Sequence, residues 1–223
     1  MLIAIEGIDG SGKGTQASLL ATRLQADGKE VTTLAFPQYE DTLFGKEVGR
    51  YLNGEFGTLE SIHPKFSALL YAMDRFQSLG VISTALEQGH YVICDRFTGS
   101  NMAHQAARCA VAERRNLIAW IREVEEDIMR IPKPDLVLFL DMEVQFSQQL
   151  VGQKQARAYT SKTHDLHESS TDHLERALQN FRQLAVEFNW VRVACTDSLG
   201  HLKPTQVVND EIYRQVRDAR SSR

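Results

Sequence analysis

The sequence predicts an α/β protein built on a five-stranded parallel β-sheet with helices on both faces. Three observations point there. Five short runs of β-branched and apolar residues recur along the chain, amphipathic stretches of helical period separate them, and 223 residues suit one compact unit with a mobile insertion better than two domains. A chain of this size buries roughly 70% of the surface its unfolded form exposes, enough for a core without disulfides or structural metal. A composition of 43% hydrophobic and 24% charged residues agrees.

The strand-like runs are Leu2 to Glu6, Glu30 to Phe36, Tyr91 to Asp95, Leu136 to Asp141 and Val191 to Cys195. Each reads as buried on both faces. Right-handed crossovers between parallel strands put helices on the two faces and leave the carboxyl ends of the strands as the ligand-binding edge. Helices are predicted from about Lys13 to Asp27, with Gly28 as a left-handed cap, and from about Pro64 to Gln88, capped by Gly89. A third runs from about Glu113 to Ile131 and stops before Pro132 and Pro134. Residues 152–170 lack apolar periodicity and carry Lys154, Arg157, Lys162, His164 and His167, so they read as a polar lid. Helical spacing returns over Thr171 to Phe188 and Pro204 to Arg217, and the tail from Ser221 to Arg223 reads as frayed.

Charge and composition exclude several roles. A net charge of -4 argues against a protein that coats nucleic acid or an anionic membrane, because both demand a clustered cationic surface. No apolar run approaches the roughly 20 residues of a membrane span. Cys94, Cys109 and Cys195 show no metal-ligand spacing, and their odd number, with no targeting segment ahead of the first strand, predicts free thiols in a reducing cytoplasm.

Between the first strand and the first helix stands Gly7-Ile8-Asp9-Gly10-Ser11-Gly12-Lys13-Gly14-Thr15, which contains the GxxxxGK core of a phosphate-binding loop. Glycines at 7, 10, 12 and 14 let backbone N–H groups of the loop, Ser11 included, wrap one phosphate chain, and the helix N-terminus adds its positive end. Lys13 supplies a point charge for the β and γ phosphates. The pattern predicts a P-loop NTPase fold that holds ATP with Mg2+. Gly14 follows the lysine where many such loops have a metal-gripping hydroxyl, and the hydroxyl comes one residue later, at Thr15. Asp9 is therefore a candidate metal ligand, directly or through water. No NKxD-type guanine motif occurs.

A second anion site is predicted at the end of the third strand, where Asp95-Arg96-Phe97 leads into Thr98-Gly99-Ser100-Asn101. Tyr71 and Arg75 lie one helical turn apart, so a ring and a guanidinium share a face and can stack on a base and bond its carbonyl edge. The alternative for Arg75 is a solvated ion pair with Asp74 or a neighbour. Phosphoryl transfer onto a phosphate brings two anions together, at about 4 kcal/mol per unit pair near 4 Å and an effective dielectric of 20. The acceptor oxygen is already ionised near neutral pH, so catalysis reduces to positioning and charge stabilisation by cations. Arg157 is the lid cation best suited to that task.

Taken together, these residues resemble the thymidylate kinase family over nearly the whole chain. The matching pieces are GIDGSGKGT from Gly7, FPQY from Phe36, LNGEFG from Leu52, YAMDR from Tyr71, DRFTGSNMAHQ from Asp95, PKPDLVLFLD from Pro132 and DLHE from Asp165. The resemblance implies transfer of a phosphoryl group from ATP to dTMP, with magnesium, in a cytoplasmic homodimer. Carried over by position, Asp9 serves the acceptor and metal region and the catalytic step, Phe36, Pro37 and Tyr39 line the acceptor site, Tyr71 stacks on thymine, Arg75 and Asn101 bond its edge, and Arg96 clamps the acceptor phosphate. Ser100, His104 and Gln105 belong to the same site. Asp165 and Glu168 come from the lid side, near the sugar and metal, with Glu168 a second candidate metal ligand.

Four positions depart from the family pattern. Gly10 stands where one branch has a catalytic arginine, which aligns this chain with the branch whose catalytic cation, here Arg157 with Lys154 and Lys162 in reserve, comes from the lid. Gln38 replaces a frequent arginine, Phe97 a usual tyrosine, and His104 the tyrosine or phenylalanine associated with a deoxy sugar. Asp141 reads as structural rather than metal-binding. The competing readings are a pyrimidine monophosphate kinase of broader preference and a nucleotide-binding module without transfer activity.

Overall fold

The computed structural model of the protein describes residues 1–58, 61–152 and 171–221. The strands are β1 (Leu2–Glu6), β2 (Val31–Ala35), β3 (Tyr91–Asp95), β4 (Leu136–Asp141) and β5 (Val191–Ala194). They form one sheet in the order β2-β3-β1-β4-β5, and every pairing is parallel. The predicted α/β class and five-stranded parallel sheet are therefore correct.

Helices α1 (Lys13–Ala26), α2 (Leu43–Leu52), α3 (Pro64–Gln77), α4 (Leu79–Glu87), α5 (Thr98–Ala106), α6 (Val111–Arg122), α7 (Val144–Gly152), α8 (Thr171–Glu187) and α9 (Thr205–Ser221) cover it. Alternation along β1 decides which helices meet which face. Ile3 and Ile5 pack with Leu20 and Leu24 of α1 and Ile212 and Val216 of α9. Leu2 and Ala4 point the other way, toward Ile82 and Ala85 of α4. Phe139 of β4 meets Phe181 of α8, their rings stacked at 5.6 Å.

Three expectations need correction. Burial on both faces holds for β1, and nearly for β3 and β4, but not for β2 and β5, which keep exposed residues and are the outermost strands of the sheet among the described residues. The single helix expected from Pro64 to Gln88 is two, α3 and α4, meeting at Ser78. Ser78 bends the helix locally by donating its hydroxyl to the carbonyl four residues back, and Gly80 follows two residues on. Its hydroxyl is engaged by the Asp74 carbonyl and by Gln38 Nε2, so contacts with a distant loop accompany the break. The third helix begins at Val111 and passes at Glu123–Ile128 into a π-helical turn. Widened turns of this kind reorient a side chain, here Glu125, and are frequent at functional sites.

Cys94 and Cys195 are buried and Cys109 partly so, all three as free thiols. Asp141 is held by Arg182 and Arg192, a structural arrangement. Among the described residues no helix is long and apolar enough to cross a membrane.

Candidate active site

The loop from Gly7 to Lys13 leaves β1 at the carboxyl edge of the sheet. Gly12 caps α1 with φ 86°, a left-handed conformation that costs glycine little, and no side chain caps the helix start. The first N–H groups of α1 are thus open to an anion. Gly10, at φ 76°, is tightly enclosed: a Cβ there would lie 2.4 Å from the Ser147 carbonyl oxygen and 2.8 Å from Val151 Cγ2. The absence of an arginine at position 10 has a steric counterpart, since α7 fills the space that its stem would need.

Lys13 is buried, and its Nζ donates to the Ile8 carbonyl at 2.7 Å. Burial first, and then repulsion from Arg96, push its pKa down to about 7, against the attraction of Asp95, Asp9 and Glu6. Arg96 sits just past β3 in a left-handed conformation, φ 67°. Its guanidinium donates to the Gly7 carbonyl at 3.3 Å and to Ser100 Oγ at 3.2 Å, and it forms an ion pair with Asp9. This turns the arginine back across the phosphate loop.

One cavity of about 330 Å³ opens at this edge. Asp9, Gly10, Gly12, Lys13, Gly14 and Arg96 line its loop side. Phe36, Pro37, Tyr39, Tyr71 and Arg75 line the opposite wall, and Ser100, Asn101, His104 and Gln105 of α5 line the floor. Gly7 and Ser11 lie behind the lining, and Thr15 is exposed on α1. Arg157, Asp165 and Glu168, with Lys154 and Lys162, lie outside the described residues.

Arg75 is no solvated ion pair. It is 2% exposed and paired with Glu125, itself fully buried. Burial opposes its charge, but Glu125 outweighs that and holds the guanidinium pKa above its ordinary value. His104 on the floor has its Nδ1 3.4 Å from His173 Nε2 of α8, the two rings stacked 5.6 Å apart. Burial lowers both pKa values, His173 to about 4, so the pair is neutral at pH 7.

Three carboxylates escaped the sequence reading. Glu6 accepts from the Phe97 N–H at 3.0 Å and from Ser100 Oγ at 2.5 Å, and burial raises its pKa. It ties β1 to the turn that carries Arg96. Asp95 lines the cavity, and its Oδ1 is buried with no partner among the described residues. Glu125 reaches the site from the π-helical turn. The signals were present, in the adjacency of Asp95 to Arg96 and of Glu6 to the loop, but partners 91 and 50 residues away in sequence gave them their roles.

A phosphate loop with a buried lysine, facing arginines across a nucleotide-sized cavity, defines a P-loop kinase that brings a triphosphate to a second anionic nucleotide. The family comparison names the class more closely. Residues 5–202 match the thymidylate kinase family model, and the chain belongs to that family of ATP-dependent kinases acting on dTMP. It is 31% identical over 211 residues to the thymidylate kinase of Mycobacterium tuberculosis, covering 92% of this chain and 96% of that one. A probable thymidylate kinase of Pyrococcus abyssi is 34% identical, covering 86% and 85% of the two chains. The fold is similar to that of a Candida albicans thymidylate kinase structure, with a TM-score of 0.72 over 98% of this chain and 92% of that chain at 24% identity.

Proposed function

We propose that the chain transfers the γ-phosphoryl group of ATP to the 5′-phosphate of dTMP, giving dTDP and ADP, through the residues that front this cavity. The observation that carries the assignment is that Lys13, Arg96 and Arg75 line a single cavity. In this reading the loop amides and Lys13 hold the triphosphate. Arg96, braced by Asp9 and Ser100, clamps the acceptor phosphate in line with it. Tyr71 and Phe36 take the faces of the base, while Arg75 and Asn101 take its edge. His104 and Gln105 border the sugar. Arg157, Asp165 and Glu168 close over the site from a lid spanning about residues 152–170 of a single domain.

No general base is required, because the attacking phosphate oxygen is already ionised; the residues act by alignment and by offsetting anionic repulsion. Magnesium fits the donor set. A hard divalent ion takes oxygen ligands and commonly uses one or two carboxylates beside substrate phosphates. Asp95, with its unpartnered buried Oδ1, and Asp9 are such carboxylates, with Glu168 a third from the lid. When bound, the metal neutralises charge on the β and γ phosphates. Among the described residues no group of three acidic, histidine or cysteine side chains is placed to hold a metal ion. A cytoplasmic homodimer, as the family resemblance implies, completes the proposal.

A coupled assay offering dTMP, dUMP, dCMP, dAMP and dGMP with Mg-ATP tests the reading. Best turnover on dTMP is expected. Best turnover on another acceptor would favour a kinase of broader preference, and ATP binding without turnover of any acceptor would favour a non-catalytic module.

A further inference from the structure

Glu125 touches neither nucleotide in the arrangement proposed above, yet it is the most heavily engaged carboxylate at the site. It is fully buried and accepts from Arg75 Nε at 2.7 Å, from Thr98 Oγ1 at 2.6 Å and from Asn101 Nδ2 at 2.8 Å, and it also pairs with Arg75 Nη2. Two of those partners line the cavity where the base edge is proposed to sit.

The consequence lies in what the partners have left to offer. Asn101 Nδ2 donates to two groups that can only accept, the Glu125 carboxylate and the Ala68 carbonyl at 3.0 Å, so the amide cannot be turned over without losing both bonds. Its Oδ1 is then the end with unspent capacity, buried and without a partner among the described residues. Arg75 spends Nε and Nη2 on Glu125, and Nη1 has no partner among the described residues. The site therefore offers one acceptor and one donor, in an order set by a residue behind both. Thymine and uracil carry the complementary edge, a donor at N3 and an acceptor at O4. Cytosine carries the reverse, an acceptor at N3 and a donor at N4.

We propose that Glu125 is a positioning residue that sets the hydrogen-bond polarity of the base site, fixing Asn101 as acceptor and Arg75 as donor and so selecting a 4-oxo over a 4-amino pyrimidine nucleotide. This rests on the dTMP kinase reading. Buried polar groups left facing like groups are what give such sites their discrimination, because neither partner recovers the hydrogen bonds it had in water.

The test is Glu125→Gln, assayed with dTMP and dCMP. Glutamine keeps the shape but has one acceptor end where both carboxylate oxygens accept from Arg75, so it cannot serve Arg75 Nε and Nη2 at once. With its oxygen on the Nε and Thr98 side, its NH2 faces Asn101 Nδ2 and drives that amide to flip. The ratio of kcat/KM for dTMP over dCMP should fall by at least about tenfold, through a raised KM for dTMP with kcat less affected and ATP affinity unchanged. Glu125→Asp, which keeps the acceptor chemistry, should retain most of the ratio. Equal losses on dTMP and dCMP would overturn the proposal, leaving Glu125 a purely structural residue. Should Glu125→Gln fail to fold, the wild-type enzyme with N3-methyl-dTMP decides: loss of turnover is expected, and turnover matching that of dTMP would refute an acceptor at N3. Wild-type enzyme inactive on dTMP would sink the function itself, a result distinct from either.

Discussion

Nucleotide binding should draw a proton from solvent at Lys13. Without bound nucleotide, burial and Arg96 hold the Lys13 pKa at about 7, down from 10.5. At pH 8 only about one lysine in ten is then charged. A bound polyphosphate restores the ammonium, so ADP binding at pH 8, where its own phosphates are already ionised, should take up about 0.9 proton. A site pKa one unit higher would still give about half a proton, whereas an ordinary lysine would give almost none. Affinity should correspondingly weaken by up to about tenfold, or about 1.4 kcal/mol, per pH unit above neutrality. Isothermal titration calorimetry in two buffers of different ionisation enthalpy reads the uptake directly, with Lys13→Met as the control in which it vanishes. Uptake below about 0.2 proton, or equal uptake in the control, would refute the reasoning.

Three further outcomes follow. Lys13 binds fewer protons folded than unfolded, so it costs stability fully below pH 7, and the cost fades as pH rises toward 10.5. Lys13→Met should raise the melting temperature of the nucleotide-free protein at pH 7 while lowering kcat by roughly two decades, and calorimetric scans that show no gain would count against the buried charge. Arg96→Ala removes the cation facing the acceptor phosphate and should also lower kcat by roughly two decades, about 3 kcal/mol; a near-normal rate at saturating substrates would reject its role. Arg157→Ala should slow transfer while leaving dTMP affinity nearly unchanged in equilibrium binding, and a larger loss from Lys154→Ala or Lys162→Ala would move the lid assignment.

The sheet was legible because β1, β3 and β4 are interior strands, whose continuous apolar runs belong to parallel sheets covered on both faces. The edge strands showed the same composition without the same burial, since composition does not reveal which strands lack a neighbour. The break at Ser78 and the π-helical turn at Glu123–Ile128 were not legible. Gly80 lies two residues past the first and no proline or glycine falls within the second, and both coincide with side-chain bonds to distant elements, Ser78 to Gln38 and Glu125 to Arg75. At the site, the residues with an intrinsic signature could be read from the chain: glycines that permit the loop, a lysine at a helix start, an arginine at a strand end. Glu6 and Asp95 showed only their adjacency to the loop and to Arg96, and Glu125 not even that, because a buried carboxylate takes its meaning from the donors that tertiary structure gathers around it.

The central claim is that two nucleotides meet phosphate to phosphate at one edge of the sheet. Its most direct test is inhibition by a dinucleotide that joins adenosine and thymidine through five phosphates. Such a compound should compete with both ATP and dTMP and bind more tightly than either nucleotide alone, and Lys13→Met and Arg96→Ala should each weaken it. Competition with only one substrate, or affinity no better than that of the tighter nucleotide, would contradict a shared cavity.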